Sequence, residues 1–148
     1  MRSIMLSIKP KYVALIADGQ KTIEVRKTRP KLDTPFKCYI YCTIGNGMKG
    51  DYLIPSGIQC GKVIGEFVCD NIIQWNYKKF ITLTGTNNTY FPFSDDLKAT
   101  CLSYDEFAKY GNGKTLYGWH ISDLVIYDEP RCLSEFGLLN SPQSWRYI

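Results

Sequence analysis

Apolar and charged positions at the start of the chain alternate in a pattern that predicts a strand, a helix and a second strand. Residues 3–8 form a short apolar run that is typical of a strand. Pro10 stands at a favoured first helical position, and the apolar residues after it recur at helical spacing, so we expect a helix over about 10–18. Gly19 follows where a helix commonly ends.

Further segments have the alternation or the β-branched and aromatic content of strands, namely 22–26, 37–43, 62–69 and 116–125. Ser103 and Glu106 form a capping box that predicts a second helix over about 103–110. Many short strands with two short helices predict an α+β fold, a small mixed β-barrel of five to six strands with helices at its rim. We expect one domain over residues 1–148, because this length leaves little room for two.

Positive charge is concentrated at the start of the chain. Residues 1–31 hold eight basic and two acidic side chains, a net charge of +6, whereas the whole chain carries only +4. This asymmetry favours an anionic partner such as nucleic acid, with a merely solvated basic face as the alternative. Lys9 and Lys11 flank Pro10 at the positive end of the predicted helix, which predicts an anion site or, alternatively, a flexible pair of surface lysines.

The composition indicates a cytoplasmic protein that needs no metal or cofactor. No apolar run reaches the ~18 residues of a membrane span, and the N-terminal run is shorter than a signal-peptide core. The six cysteines lack zinc-binding spacing and are expected to be free thiols in a reducing compartment. We expect no association with a membrane, and the sequence does not identify a protein partner.

Three charged residues follow the predicted helix closely. Glu24 and Arg26 lie two positions apart on one face of the predicted strand, roughly 6.6 Å along it, so they can share a cleft or pair with each other. Lys21 stands at the turn before the strand. A lysine, a glutamate and an arginine beside a helix N-terminus could hold a phosphate and recognise a base edge, although an ordinary surface ion pair is the alternative.

The segment that contains these residues resembles the G-x-K-x-x-E-x-R signature of the ASCH domain, in the PUA-like superfamily, and reads Gly19-Gln20-Lys21-Thr22-Ile23-Glu24-Val25-Arg26. Other segments are also similar to that family: Ser7-Ile8-Lys9-Pro10, Gly118-Trp119-His120-Ile121 and Ser144-Trp145. The resemblance runs from residue 3 to 148, with an insertion at about 71–100. It implies a five- to six-stranded barrel with a basic cleft between the barrel and the first helix, where single-stranded RNA or a modified nucleoside binds.

The resemblance also implies an activity. Some ASCH proteins cut single-stranded RNA, and one branch hydrolyses acylated cytidines with a lysine, a threonine and a glutamate. Lys21 matches the lysine, Glu24 stands in place of the threonine, and Thr100 stands where the acid is expected, with Asp95 and Asp96 nearby. The candidate catalytic pair is therefore Lys21 as partner of an oxyanion and Glu24 as general base on water.

Further residues are candidates for contact with a ligand. His120 could act as an acid–base group in the cleft, with a structural hydrogen bond as the alternative. Tyr41, Trp119 and Trp145 could stack on a splayed base, although aromatic residues in strands more often belong to the core. The expected binding residues are Ser7, Lys9, Lys11, Lys21, Glu24, Arg26, Tyr41, His120 and Trp145.

The sequence leaves three classes of function open. The first is a module that binds RNA or a modified nucleoside, which the basic helix start and the missing threonine favour. The second is a hydrolase of acyl-nucleosides or RNA phosphodiesters, which the lysine–glutamate pair supports. The third is a scaffold whose cleft recruits a protein.

Overall fold

Six strands form one curled sheet, a half-barrel, in a computed structural model that describes residues 2–45, 52–54 and 56–148. The elements in chain order are β1 (Ile4–Ile8), α1 (Pro10–Ala17), β2 (Ile23–Arg26), β3 (Phe36–Cys42), β4 (Tyr52–Leu53), β5 (Gln59–Cys60), β6 (Val63–Trp75), β7 (Lys78–Thr82), β8 (Gly85–Thr89), α2 (Ser94–Ala99), α3 (Tyr104–Gly111), β9 (Leu116–Arg131) and β10 (Trp145–Tyr147). The order in the sheet is β10-β1-β3-β6-β9-β2, with β1 and β3 parallel and the other neighbours antiparallel. The predicted α+β class, with few short helices, is confirmed.

The two longest strands extend beyond the segments that predicted them. β6 continues from the predicted 62–69 to Trp75, and β9 continues from the predicted 116–125 to Arg131. Their pairing contains register shifts, one of them between Cys69 and Ile72. Each such irregularity breaks the period of two, which explains why the sequence shows no strand pattern there. β7 and β8 form a separate hairpin, and the assignment of 71–100 as an insertion stays a prediction.

β2 is covered on both of its faces. Ile23 and Val25 lie in a hydrophobic cluster with Phe107 of α3. Glu24 and Arg26 point to the opposite face, and all four residues of the strand are buried. Glu24 and Arg26 are therefore not an ordinary surface ion pair, which was the alternative that the sequence left open. A second layer that includes α3 covers the strand that carries them.

Gly118 allows β2 to lie closely against the rest of the sheet. It pairs with Val25, and a Cβ added to it would lie 2.4 Å from Cη2 of Trp75 and 2.9 Å from Cγ2 of Ile23. Both distances are far below ordinary van der Waals contact. A side chain at this position would therefore push apart the strand that carries Glu24 and Arg26.

Arg26 bridges the gap between the two edges of the half-barrel. Its Nη2 donates to the carbonyl oxygen of Ser7 on β1 at 2.7 Å, and its Nη1 donates to the carbonyl oxygen of Ser144 at 3.2 Å and to its Oγ at 3.0 Å. Ser144 directly precedes β10, and its carbonyl also accepts from the Ser7 amide at 2.9 Å. We call this junction of Arg26, Ser7 and Ser144 the seam, because side-chain bonds here join edges that β-sheet hydrogen bonds leave apart.

We predict that Arg26→Lys lowers the free energy of unfolding by about 2–4 kcal/mol, since an ammonium cannot reproduce the planar set of donors that spans the seam. Urea denaturation measures the change. The matched control is Arg29→Lys, at an exposed position three residues away. Equal losses in the two variants would contradict a special role for the seam.

Candidate functional site

A cleft of about 590 Å³ opens between α1, β2 and α3. Its lining residues are Ser7, Ile8, Lys9, Tyr12, Lys21, Glu24, Val25, Arg26, Thr43, Leu102, Glu106, Lys109, Tyr110, Gln143 and Ser144. The cleft thus lies beside the seam and the first helix. It also includes α3, which the sequence did not place there.

Three charged side chains form the floor of the cleft, and the middle one, Glu24, contacts the other two. Lys21 is 2% exposed, Glu24 is 6% exposed and Arg26 is 8% exposed. Oε1 of Glu24 lies 3.6 Å from Nζ of Lys21, and Oε2 accepts from Nη2 of Arg26 at 3.2 Å. We call these residues the buried triad, in which Glu24 lies between two cations that compensate its desolvation.

Lys21 points into the protein rather than toward solvent. Its Nζ donates to the carbonyl oxygen of Thr100 at 2.6 Å and lies 5.0 Å from the ring centroid of Tyr12. Burial lowers the pKa of Lys21 below that of an ordinary lysine, and the charge of Glu24 opposes this shift only in part. Lys21 therefore gives up its proton more easily than a surface lysine does.

The floor of the cleft keeps some hydrogen-bonding capacity for a ligand. Glu24 receives hydrogen bonds from the Val25 amide at 3.1 Å and from Arg26, and it pairs with Lys21. A carboxylate accepts about four hydrogen bonds and an ammonium donates three, so roughly one acceptor site on Glu24 and one N–H of Lys21 remain. The floor can thus hold a neutral group that both donates and accepts.

The sequence did not predict that α3 forms one wall of the cleft. Glu106, Lys109 and Tyr110 line the cleft, and their spacing of three and four residues places them on one helical face. That spacing was readable, but the capping box that Ser103 and Glu106 form indicated only a helix start. Burial raises the pKa of Tyr110. The charge of Arg26 opposes this shift and the charge of Glu24 adds to it.

The structure brings only some of the predicted binding residues together. Those that line the cleft are Ser7, Lys9, Lys21, Glu24 and Arg26. Lys11 is exposed and does not line it. The pKa of Glu106 in the α3 wall is lowered mainly by its hydrogen bonds with Ser103 and to a smaller extent by the charge of Lys11.

The remaining predicted residues lie elsewhere. Tyr41 is buried in a hydrophobic cluster with Met5, Val63 and Leu138. His120 is partly exposed, and its Nδ1 lies 2.6 Å from Oδ1 of Asp70. None of these residues lines the cleft.

The two tryptophans proposed to stack on a base contact other residues of the protein instead. Nε1 of Trp145 donates to Oγ1 of Thr28 at 2.9 Å, and the Trp145 ring meets Trp119 edge-on at a centroid distance of 5.8 Å. Trp119 is fully buried. Neither of them lines the cleft, which agrees with the preference of strand aromatics for the core.

Thr100, which stands where the resemblance places an acid, meets Lys21 through its backbone. Its hydroxyl donates to the carbonyl oxygen of Leu97 at 2.5 Å and accepts from the Leu102 amide at 3.2 Å. Asp95 and Asp96 do not line the cleft. The acidic groups that do line it are Glu24 and Glu106.

Neither a metal-binding cluster nor a membrane-spanning helix occurs in the described part of the chain. Within residues 2–45, 52–54 and 56–148, no three histidine, cysteine, aspartate or glutamate side chains are grouped as metal ligands. Over the same residues, no helix has the length and apolar character needed to cross a membrane.

Comparison with known proteins relates this fold to solved structures. The ASCH protein from Zymomonas mobilis superposes with a TM-score of 0.68 at 18% identity, over 99% of this chain and 87% of that chain. A tyrosine-to-phenylalanine variant of it gives 0.64 at 18% identity over 99% and 89%, and a serine-to-alanine variant gives 0.65 at 17% over 99% and 87%. No curated protein matches the sequence significantly.

A comparison with family models locates the family signature. Residues 6–74 match the model of the ASCH domain, and this range contains the whole buried triad and most of the half-barrel. The solved ASCH proteins share the fold over nearly the full length of the chain. Residues 6–74 of the chain are therefore similar to the ASCH domain, and the chain shares its fold with the solved ASCH proteins.

Proposed function

We propose that the cleft binds one nucleotide of single-stranded RNA, or one modified nucleoside. The observation that carries this proposal is the buried triad at the floor of a cleft of about 590 Å³. That volume lies within the roughly 300–1,000 Å³ of sites that enclose a single small molecule. A longer single-stranded RNA would place only one of its nucleotides inside the cleft.

Charge supports an anionic ligand. The lining contains the basic residues Lys9, Lys21, Arg26 and Lys109 against the acidic residues Glu24 and Glu106. Lys11, an exposed residue in the first turn of α1, adds a further positive charge two positions after Lys9. An excess of positive charge in a concave site attracts phosphate groups and accelerates their association.

The remaining acceptor site on Glu24 supports recognition of an amino group. An ionised carboxylate only accepts hydrogen bonds, so it suits the exocyclic amino group of cytosine or adenine and disfavours the carbonyl of uracil at the same place. Glu24 is held rigidly by Arg26 and by the Val25 amide, which fixes the direction of its acceptor. The floor is therefore suited to distinguish bases rather than only to attract charge.

We predict that affinity for a single-stranded oligoribonucleotide falls as salt rises. Replacing Lys9 and Lys11 together by alanine should reduce the slope of log K against log salt by ~0.7 for each phosphate that the protein no longer neutralises. Fluorescence anisotropy titrations at several salt concentrations measure it, with Lys78→Ala/Lys79→Ala on the β7–β8 hairpin as the control. An affinity that does not depend on salt would show that phosphate groups play no part in binding.

We also predict that Glu24→Gln removes the preference for cytidine over uridine, because the glutamine amide can present a donor where the carboxylate presents only an acceptor. Calorimetric titration of both nucleosides measures the preference. Since Glu24 is buried between two cations, the stability of the variant is measured in parallel, and binding is compared at a temperature where both proteins are folded. Glu106→Gln, at an exposed acidic position of the same cleft, should keep the preference.

A second candidate function, hydrolysis of an acylated cytidine, is favoured by the contact of Lys21 with Glu24. In this reaction Glu24 accepts a proton from water, and the oxygen of that water forms a bond to the amide carbon. The Lys21 ammonium stabilises the negative charge on the carbonyl oxygen. The C–N bond then breaks as the amine takes up the proton that Glu24 accepted, and cytidine and the carboxylic acid, which ionises in water, leave.

For this second candidate, kcat/KM should decline at high pH as Lys21 loses its proton. Because burial lowers the pKa of Lys21, the decline begins below the pH at which an ordinary lysine titrates. Chromatography of the products of N4-acetylcytidine measures turnover across the pH range, with Lys21→Ala and Glu24→Gln expected to form none. Unchanged acetylcytidine with the wild-type protein at every pH would exclude this candidate and leave the binding function.

A further inference from the structure

We propose that Lys9 and Lys109 hold the phosphate of the ligand at the mouth of the cleft, so that the ligand is a phosphorylated nucleotide rather than a free nucleoside. This inference rests on the proposed function and adds the chemical class of the ligand. Lys9 precedes α1, and Lys109 lies in the last turn of α3, so the two lysines reach the cleft from two different walls.

The floor is unsuited to a phosphate, although it contains two cations. The guanidinium of Arg26 already donates to four acceptors, which belong to Ser7, Ser144 and Glu24. Lys21 donates to Thr100 and pairs with Glu24. A phosphate placed there would displace these bonds and meet the negative charge of Glu24, so the floor favours the neutral base.

The two lysines at the mouth have the opposite character. Both side chains are exposed, and among the residues that the structure describes neither forms an ion pair or a side-chain hydrogen bond. Glu106, three residues before Lys109, instead accepts from the Ser103 amide at 3.0 Å, which completes the capping box. The positive charge of Lys109 thus remains available to a ligand.

The start of α1 adds to the positive potential at Lys9. This helix has no side-chain hydrogen bond at its N-cap, which is Lys9 itself, and no acidic residue in its first turn. Pro10 has no N–H, and the Tyr12 and Val13 amides donate to the Lys9 carbonyl oxygen at 3.0 Å, so what remains uncompensated in this first turn is the positive end of the helix dipole. A base on the floor and a phosphate at the mouth together match the distribution of charge along the cleft.

The experiment compares cytidine with its 5′- and 3′-monophosphates by calorimetric titration. For the wild-type protein we expect at least one monophosphate to bind about tenfold more tightly, the gain from two exposed charge contacts. Lys9→Gln and Lys109→Gln should each reduce this advantage several-fold, and their effect on the affinity for cytidine, which lacks a phosphate, should be much smaller. Lys98→Gln is the matched control, because Lys98 also lies near the end of a helix but does not line the cleft.

Three other results overturn the proposal in different ways. If cytidine and both monophosphates bind equally, the phosphate is not recognised, while the proposed binding of a nucleoside stands. If inorganic phosphate competes as well as the monophosphates do, the two lysines form a general anion site rather than a nucleotide site. If neither cytidine, the monophosphates nor RNA binds, the proposed function fails together with this inference.

Discussion

The arginine that spans the seam is the interaction on which the rest of the structure depends. The sheet order leaves β2 and β10 as separate edges, and Arg26 joins the β2 edge to Ser7 and Ser144. A buried guanidinium requires a counter-charge, which Glu24 supplies, and Glu24 in turn contacts Lys21. The closure of the fold and the chemistry of the cleft floor thus depend on the same side chains.

The second layer of the protein makes this arrangement possible. Phe107 of α3 packs in the cluster that holds Ile23 and Val25, so one face of β2 is covered by apolar side chains while the other carries the buried charges of the cleft floor. Charged groups on such a strand survive only when they satisfy one another and the backbone. The triad consequently stabilises the fold and also forms a preorganised site, because its groups are held in position before a ligand binds.

The sequence predicted the fold class and most of the elements because their signals are local. The proline at the start of α1, the capping box of Ser103 and Glu106, and the alternation in β2 each lie within a few residues. The continuation of β6 to Trp75 was not predicted, because register shifts interrupt its period. Local signals therefore fail where pairing with a distant strand determines the conformation.

The same distinction applies to the site. Lys21, Glu24 and Arg26 were found because they fall within six residues, but their burial depends on packing against α3. Lys109 and Tyr110 were not found, since only the tertiary arrangement brings that helix to the cleft. Tyr41 lies outside the cleft because its strand turns this residue toward another hydrophobic cluster, a choice of face that composition alone does not reveal.

Helix α3 lies between a hydrophobic cluster and the cleft, so some of its residues are constrained by core packing and others by contact with a ligand. Phe107 anchors the helix in the core, while Glu106, Lys109 and Tyr110 point to the cleft and contribute little to that core. The cleft face of α3 can therefore diverge among related proteins without loss of the fold. The floor cannot change as freely, because Arg26 also holds the seam and Glu24 is its buried counter-charge. Divergence in ligand choice within such a lineage would accumulate on the helix, and the floor would stay constant.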